Sequence, residues 1–222
     1  MANQEFVYEQ RQVTLRKGAL EEYVQQIREL SWPQLDNEGA KVLCLLHGMI
    51  GYPIDEVIQI ARFSDIGAWQ RSQGKDPSPA NPLVEKEEVR LLRSVANRPK
   101  PQVPAEDRRE VYGYHRFFIR AEDLPEFVRC SETGVWPRIE TQDACILGLW
   151  TTLAATDPLE VALLTGYHSV THWEETRGAR PMPQGFDPDL WERSVRLRAR
   201  RADLCIKDWV CLMRAIEVAP SG

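Results

Sequence analysis

The sequence predicts an α+β protein made of two tandem ferredoxin-like units, each with the element order β-α-β-β-α-β, that pair into an α+β barrel. An internal repeat without gaps, the same order of strand and helix patterns in both copies, and a proline-rich segment between them lead to this prediction. We therefore divide the chain into a first repeat (residues 1–96), a linker (97–108) and a second repeat (109–222). The linker carries Pro99, Pro101 and Pro104, which cannot continue a helix or the interior of a sheet.

The repeat becomes visible when the chain is compared with itself at an offset of 104 residues. Positions 7 to 88 then give 18 identities, where average composition would give roughly 5. The matched pairs include rare residue types, such as Trp32 with Trp136 and Trp69 with Trp173. Self-similarity at a fixed period indicates repeated structural units.

Each copy shows the same succession of patterns. Strand patterns cover 6–15, 41–49 and 56–63 in the first copy and 111–119, 145–153 and 160–167 in the second. A helix with apolar residues at helical spacing follows the first strand and runs toward Trp-Pro, where proline disfavours helical geometry in the residue before it. The second copy also predicts a helix that begins after Asp187 and a last strand over 206–218. The fourth strand of the first copy is poorly marked, within 89–96 or beyond.

Composition narrows the functional classes. The chain has 222 residues, is 43% hydrophobic and 27% charged, and carries a net charge of -5. An acidic chain disfavours nucleic acid and anionic membranes as partners. With no signal segment, no long apolar run and five scattered cysteines, we expect a cytoplasmic protein with free thiols.

Short motifs point to a known family. The first copy contains Tyr8-Glu9-Gln10-Arg11 and His47-Gly48-Met49-Ile50-Gly51, and the second contains Leu147-Gly148-Leu149-Trp150-Thr151-Thr152. In their order and spacing these motifs resemble the NIPSNAP-type family of the dimeric α+β barrel superfamily. The second copy departs from the pattern, because Gly113 replaces the glutamate and His115 the arginine.

The resemblance implies a fold rather than a reaction. In that superfamily two sheets pair face to face, and a pocket lies between a sheet and its helices or inside the barrel. Relatives include cofactor-independent monooxygenases, isomerases, cyclases and haem enzymes. The NIPSNAP branch carries no catalytic signature that transfers to this chain, and fold analogy alone does not assign a function.

Polar residues on apolar strands are the candidate site residues. Because side chains alternate along a strand, we expect one polar set to face the barrel interior, and Ile58 and Ile60 to meet the helices. This set consists of Glu9, Arg11, Gln59, His115, Thr165 and Tyr167.

The candidates receive roles by residue type. We expect His115 to act as a general base, with Tyr114 or Tyr167 nearby, at the polar end of an apolar pocket in the second half. This places His115 beside Thr165 or Tyr167, on the assumption that strands one and three run parallel. Tyr114 points away from His115 unless a bulge intervenes. Phe117, Trp150 and Thr165 would bind the substrate, and Glu9, Arg11 and Gln59 would do so in the first half. The alternatives are an internal Glu9–Arg11 ion pair and a structural histidine.

Three further features of the sequence, two histidine positions and an arginine-rich helix, have a structural interpretation beside the functional one. His168 and His172 share a helix face at a spacing that can bind a metal, but a solvated helix end is favoured. His47 lies at a cavity mouth or on the surface. The arginines of the last helix are interpreted as a solvated face, with Trp191 and Val195 turned inward. No P-loop, GxGxxG, GxSxG or HExxH motif is present in the sequence.

Two functional hypotheses follow. The favoured one is an enzyme without a nucleotide cofactor that acts on a small apolar or aromatic molecule by proton transfer, isomerisation, cyclisation or O2-dependent oxidation. Its support is the asymmetry between the copies, which puts an acid–base group in one half only. The alternative is a non-catalytic NIPSNAP-like binding or scaffold protein, and a haem or metal protein is a minor third. We expect no cofactor, and a small-molecule substrate and a homo-oligomer as partners.

Overall fold

A computed structural model describes residues 6–73, 81–100, 103–154, 156–177 and 181–216. The chain divides into two compact units, residues 1–93 with 213–222 and residues 94–212. None of the helices in the described ranges is long and apolar enough to cross a membrane.

The first unit has the ferredoxin-like strand order. Its strands lie in the order β4-β1-β3-β2. They are β1 (Val7–Leu15), β2 (Lys41–Ile50), β3 (Glu56–Phe63) and β4 (Val84–Ser94), and its helices are α1 (Leu20–Gln26), α2 (Trp32–Asn37) and α3 (Ile66–Ser72). The poorly marked fourth strand begins five residues before the predicted start at residue 89.

The second unit repeats this arrangement with the order β8-β5-β7-β6. Its strands are β5 (Val111–Ile119), β6 (Cys145–Thr152), β7 (Leu159–Tyr167) and β8 (Cys205–Ile216), of which residues 213–216 belong to the first unit. Its helices are α4 (Leu124–Cys130), α5 (Trp136–Glu140), α6 (Val170–Glu175) and α7 (Pro188–Asp203). The predicted end of the last strand, at residue 218, lies outside the described residues. The predicted α+β fold class, with two ferredoxin-like repeats, is confirmed.

The first and third strands of each copy are antiparallel neighbours, so the expectation of parallel strands is wrong. Val7 pairs with Phe63 and Thr14 with Glu56 in the first unit, and Val111 pairs with Tyr167 in the second. The reason is topological. In a split β-α-β unit the helix joins two parallel strands, and the third strand is inserted between them in the opposite direction.

The helix after the first strand does not end at Trp-Pro in either copy. It passes through a π-helical turn, Ile27–Ser31 or Ser131–Val135, and continues as α2 or α5. Proline lies in the first turn after the π segment, where the missing N–H is tolerated. Because of this wider turn the helix continues through the tryptophan and proline, although the effect of proline on the preceding residue predicts that the helix ends there.

Helix α7 packs on the π-helical turn of the second unit through a different stripe from the predicted one. Its buried residues are Leu190, Ser194 and Leu197, while Val195 is 47% exposed. Gly134 makes this packing possible, because a Cβ there would lie 2.6 Å from Leu197 Cδ1 and 2.8 Å from Leu197 Cβ. The contact fixes the inward face of α7.

We expect Gly134→Ala to lower the free energy of unfolding by about 1–3 kcal/mol, because the added methyl group overlaps Leu197 and α7 must shift. Urea denaturation measures the change. Leu30, the repeat-equivalent residue, is 64% exposed, so Leu30→Ala is the control and should change stability by less than about 0.5 kcal/mol. Equal effects of the two substitutions would contradict this packing.

Candidate functional site in the second unit

The polar candidate residues lie on the sheet face that the helices cover. Gln59 accepts a hydrogen bond from Trp32 of α2, and Glu9 accepts one from Trp69 of α3. Tyr167 meets His172 of α6 edge to face. The expected orientation is therefore wrong, and Ile58 and Ile60 lie on the opposite face. Both faces of these strands carry buried apolar residues, so alternation separates the two sets without showing which set meets the helices.

In the first unit these polar side chains satisfy one another. One carboxylate oxygen of Glu9 accepts from Arg11 Nε at 2.9 Å, and the other accepts from Trp69 Nε1 at 2.6 Å and Gln73 Nε2 at 3.1 Å. Arg11 also pairs with Glu87. Since Glu9 is only 3% exposed and both of its oxygens are engaged, the geometry favours an internal ion pair over a substrate clamp.

The second unit has a different arrangement at the equivalent place, which we call the His115 site: Gly113, His115, Phe117, Tyr167 and Arg201. A Cβ at Gly113 would lie 3.0 Å from His115 Nε2 and 3.3 Å from Tyr167 Cε2. The absence of a side chain at Gly113 thus lets the imidazole and the tyrosine ring approach each other. The His115 ring is stacked on Phe117, with centroids 5.8 Å apart. His115, Phe117 and Tyr167 therefore lie together around Gly113.

Arg201 is the site residue that sequence reasoning missed. Its guanidinium carbon lies 5.1 Å from the centroid of the Phe117 ring and 5.5 Å from that of Phe127, and its Nη1 donates to the Ser131 hydroxyl at 3.3 Å. A signal exists in the sequence, because Arg201 follows Leu190, Ser194 and Leu197 at helical spacing and so lies on the inward stripe of α7.

The electrostatics of the site keep His115 neutral. Burial, and secondarily the positive charge of Arg201, lower the pKa of His115 from 6.5 to about 3. Burial likewise lowers the pKa of Arg201 to about 10, which leaves it charged at neutral pH. A neutral imidazole therefore lies near a guanidinium cation on a sheet face removed from bulk water.

His115 and Arg201 nevertheless retain accessible surface, and both are intermediate in exposure. Within the described ranges, neither ring nitrogen of His115 has a hydrogen-bond partner. His115 is therefore partly exposed, and its ring nitrogens remain available for hydrogen bonding.

The tyrosine and threonine of the predicted site are already engaged. The Tyr167 hydroxyl is hydrogen-bonded to Thr165 and Thr176, and burial raises the pKa of Tyr167 to about 12. Arg138, which is 3% exposed, contributes a second positive charge near this hydroxyl. The Tyr167 ring thus lies beside Gly113, while its hydroxyl interacts with Thr165 and Thr176.

Tyr114 and Trp150 do not join the site. The β5–β7 register is regular, so Tyr114 pairs with Leu164 and points to the face opposite His115. Trp150 pairs with Ala162 on that same opposite face and packs over Gly148. Their predicted roles beside His115 are corrected, because Tyr114 alternates with His115 along a regular strand and Trp150 lies beyond the register shift of β6, opposite Ala162.

The remaining histidines have other surroundings. His172 accepts a hydrogen bond from the His168 backbone N–H at Nδ1 and bonds to the Gln142 carbonyl through Nε2, while His168 Nε2 contacts Asp143. These contacts use both nitrogens of His172 for the local fold.

His47 lies in the first unit, where burial lowers its pKa. It lines an open groove of about 540 Å³ beside α1. The groove is also lined by Leu20, Glu21, Val24, Gln25, Arg28, Glu29 and Ile216.

Comparison with solved structures identifies the fold. The chain is similar over nearly its whole length to a putative monooxygenase from Lactobacillus acidophilus (TM-score 0.62, 10% identity, 95% of this chain and 94% of that one). A putative monooxygenase from Fusobacterium nucleatum gives a TM-score of 0.60 at 10% identity, covering 99% and 96%. An anthrone oxidase-like protein gives 0.56 at 7% identity, covering 97% and 93%.

Solved structures of NIPSNAP proteins, the family that the sequence motifs resemble, also match part of the chain. A NIPSNAP family protein from Agrobacterium tumefaciens matches 41% of this chain and 87% of its own length, at 21% identity and a TM-score of 0.35. No family model and no curated protein matches the chain. At these identities the neighbours establish the α+β fold alone.

The state of His115 predicts a pH dependence of stability. In the unfolded chain a histidine has its ordinary pKa near 6.5, so below that pH the unfolded state binds a proton that the folded state does not. The stability associated with a neutral His115 is therefore complete above pH 6.5 and is lost as the pH falls from 6.5 toward 3. We expect the wild type to lose about 2 kcal/mol more than His115→Gln between pH 7 and pH 5, as measured by urea denaturation. If the free energies of unfolding of the two proteins changed equally with pH, His115 would bind a proton as readily in the folded protein as in the unfolded chain.

Proposed function

We propose that the chain is an enzyme that removes a proton from a small aromatic molecule in the His115 site, without a nucleotide cofactor. One observation carries the proposal: a neutral, accessible imidazole without a hydrogen-bond partner among the described residues lies beside a guanidinium cation. A base needs a free lone pair, and a developing anion needs a nearby positive charge. The site provides both.

The chemistry follows from the charges. His115 takes a proton from an acidic C–H or O–H group of the ligand, which leaves an imidazolium ion and an enolate or phenolate. Burial and the charge of Arg201 disfavour an imidazolium alone, but the anion formed in the same step balances the new positive charge and leaves the net charge of the site unchanged. Phe117 and the Tyr167 ring provide apolar walls that suit a flat aromatic ligand.

The full-length structural neighbours support O2 as the second reactant, since two are named putative monooxygenases and one anthrone oxidase-like. The carbanion of an anthrone adds O2 at the carbon that lost the proton and regains a proton to give a hydroperoxide. Loss of water then breaks the O–O bond, so that anthrone and O2 yield anthraquinone and water. The anthrone is the reductant and O2 the oxidant.

A non-catalytic binding protein is the second candidate, and the engaged Tyr167 hydroxyl favours it. In that case His115 would hold a ligand by hydrogen bonding alone, and the ligand would leave unchanged. A cytoplasmic location and a homo-oligomeric state stay predictions in either case.

Anthrone in D2O separates the two candidates. Exchange of its acidic C–H protons is followed by NMR and O2 uptake by an electrode. We expect His115→Ala and His115→Gln to lower the exchange rate by roughly 10²-fold or more, because each removes the base.

His168→Gln is the matched control, because His168 is exposed and lies outside the His115 site. It should exchange anthrone protons at the wild-type rate. Wild-type protein that binds anthrone without accelerating exchange or oxidation would identify the chain as a binding protein for this compound.

A further inference from the structure

The two copies differ in how they satisfy a buried tryptophan. In the first unit Trp32 Nε1 donates to Gln59 Oε1 at 2.7 Å. In the second unit the equivalent residues are Trp136 and Leu163, and the leucine side chain has no hydrogen-bond acceptor. Trp136 is 2% exposed, and within the part of the chain that the structure describes nothing accepts a hydrogen bond from its Nε1. A buried donor without an acceptor costs about 1–3 kcal/mol.

This donor belongs to the surroundings of the His115 site. Leu163 is the register partner of His115 across β5 and β7. Trp136, Leu163, Phe117 and Tyr167 belong to one core cluster. In the first unit the indole N–H reaches the register partner of Arg11, since Arg11 pairs with Gln59. The repeat therefore directs the Trp136 N–H toward the strand position beside His115.

Arg201 is a second donor group without a matching acceptor, and it also carries a positive charge. Its contacts in the described ranges are the Ser131 hydroxyl and the Phe117 and Phe127 rings, and none of them is a carboxylate. The first unit places Glu9 beside Arg11, whereas the second has Gly113 at the position of Glu9. Two replacements have thus removed two acceptors, a carboxylate and an amide oxygen, from the same place in the fold.

We propose that the His115 site binds aromatic molecules carrying an anionic oxygen, a carboxylate or phenolate, which accepts hydrogen bonds from Arg201 and from Trp136 Nε1. This names the ligand class and rests on the site of the proposed function. The ligand oxygen takes the place of the acceptors lost at Gly113 and Leu163. A guanidinium and an indole N–H donate and do not accept, so the pair selects an anion over a neutral alcohol of the same shape.

The test compares two probes by isothermal titration calorimetry: 2-naphthoate, which is anionic, and 2-naphthalenemethanol, which is neutral. We expect the wild type to bind 2-naphthoate at least roughly 10-fold more tightly. Trp136→Phe keeps the ring and removes the N–H, and should weaken 2-naphthoate binding by roughly 10-fold while changing that of the alcohol by less than about 2-fold. Arg201→Gln should abolish the preference, and Arg201→Lys should keep part of it.

Trp32→Phe in the first unit is the matched control. It leaves the Gln59 oxygen without its donor, so it should lower the melting temperature and leave 2-naphthoate binding unchanged. Trp136→Phe without ligand should melt at or above the wild-type temperature, because it removes an unpaired donor.

Three results would overturn the assignment. These are equal wild-type affinities for the two probes, no binding of 2-naphthoate at millimolar concentration, or unchanged 2-naphthoate binding in Trp136→Phe. Since Trp136→Phe retains the aromatic ring, its result decides the question even if the Arg201 variants do not fold. His115→Ala should still bind 2-naphthoate. Wild-type protein that binds 2-naphthoate and does not accelerate anthrone exchange would refute the proposed proton transfer and leave the ligand class standing.

Discussion

The requirement that buried polar groups find partners shapes the helix-covered face of both sheets. Taking a donor or a charge out of water costs free energy unless the protein supplies an acceptor or a counter-ion. In the first unit Glu9 and Gln59 supply these partners to Arg11, Trp69 and Trp32. These donors therefore all have acceptors within the protein, and the same hydrogen bonds connect α2 and α3 to the sheet.

The second unit keeps the tryptophan donor and loses the two acceptors. Trp136 remains in the equivalent place, while Gly113 and Leu163 replace the residues that would have accepted. Helix α7 adds Arg201, which a bare Gly134 allows to approach. The result is a neutral imidazole near donors that have no matching acceptor among the described residues, whereas the first copy pairs the equivalent groups internally. One copy can hold the fold while the other acquires a ligand site.

The charge on Arg201 contributes to the neutrality of His115. The cation helps to keep the imidazole unprotonated, and burial acts on both groups in the same direction. A ligand that arrives as an anion, or becomes one, changes this balance by compensating positive charge. Proton transfer and anion recognition are therefore two consequences of one electrostatic arrangement, although each can exist without the other.

The sequence by itself determined the repeat, the fold class and the residues that distinguish the copies, because a fixed offset aligns Glu9 with Gly113 and Arg11 with His115. It also contained the replacement of Gln59 by Leu163, whose meaning depends on knowing that Trp32 reaches Gln59. Only the tertiary structure decided which face the helices cover, since both faces are apolar and alternation is symmetric. It also excluded Tyr114 and Trp150, because the registers of β5, β6 and β7 place both side chains on the face opposite His115. Finally, it brought Arg201 to the site from 86 positions along the chain. Helical spacing puts Arg201 on one stripe with Leu190, Ser194 and Leu197, but only the packing of α7 on the π-helical turn shows that this stripe faces inward.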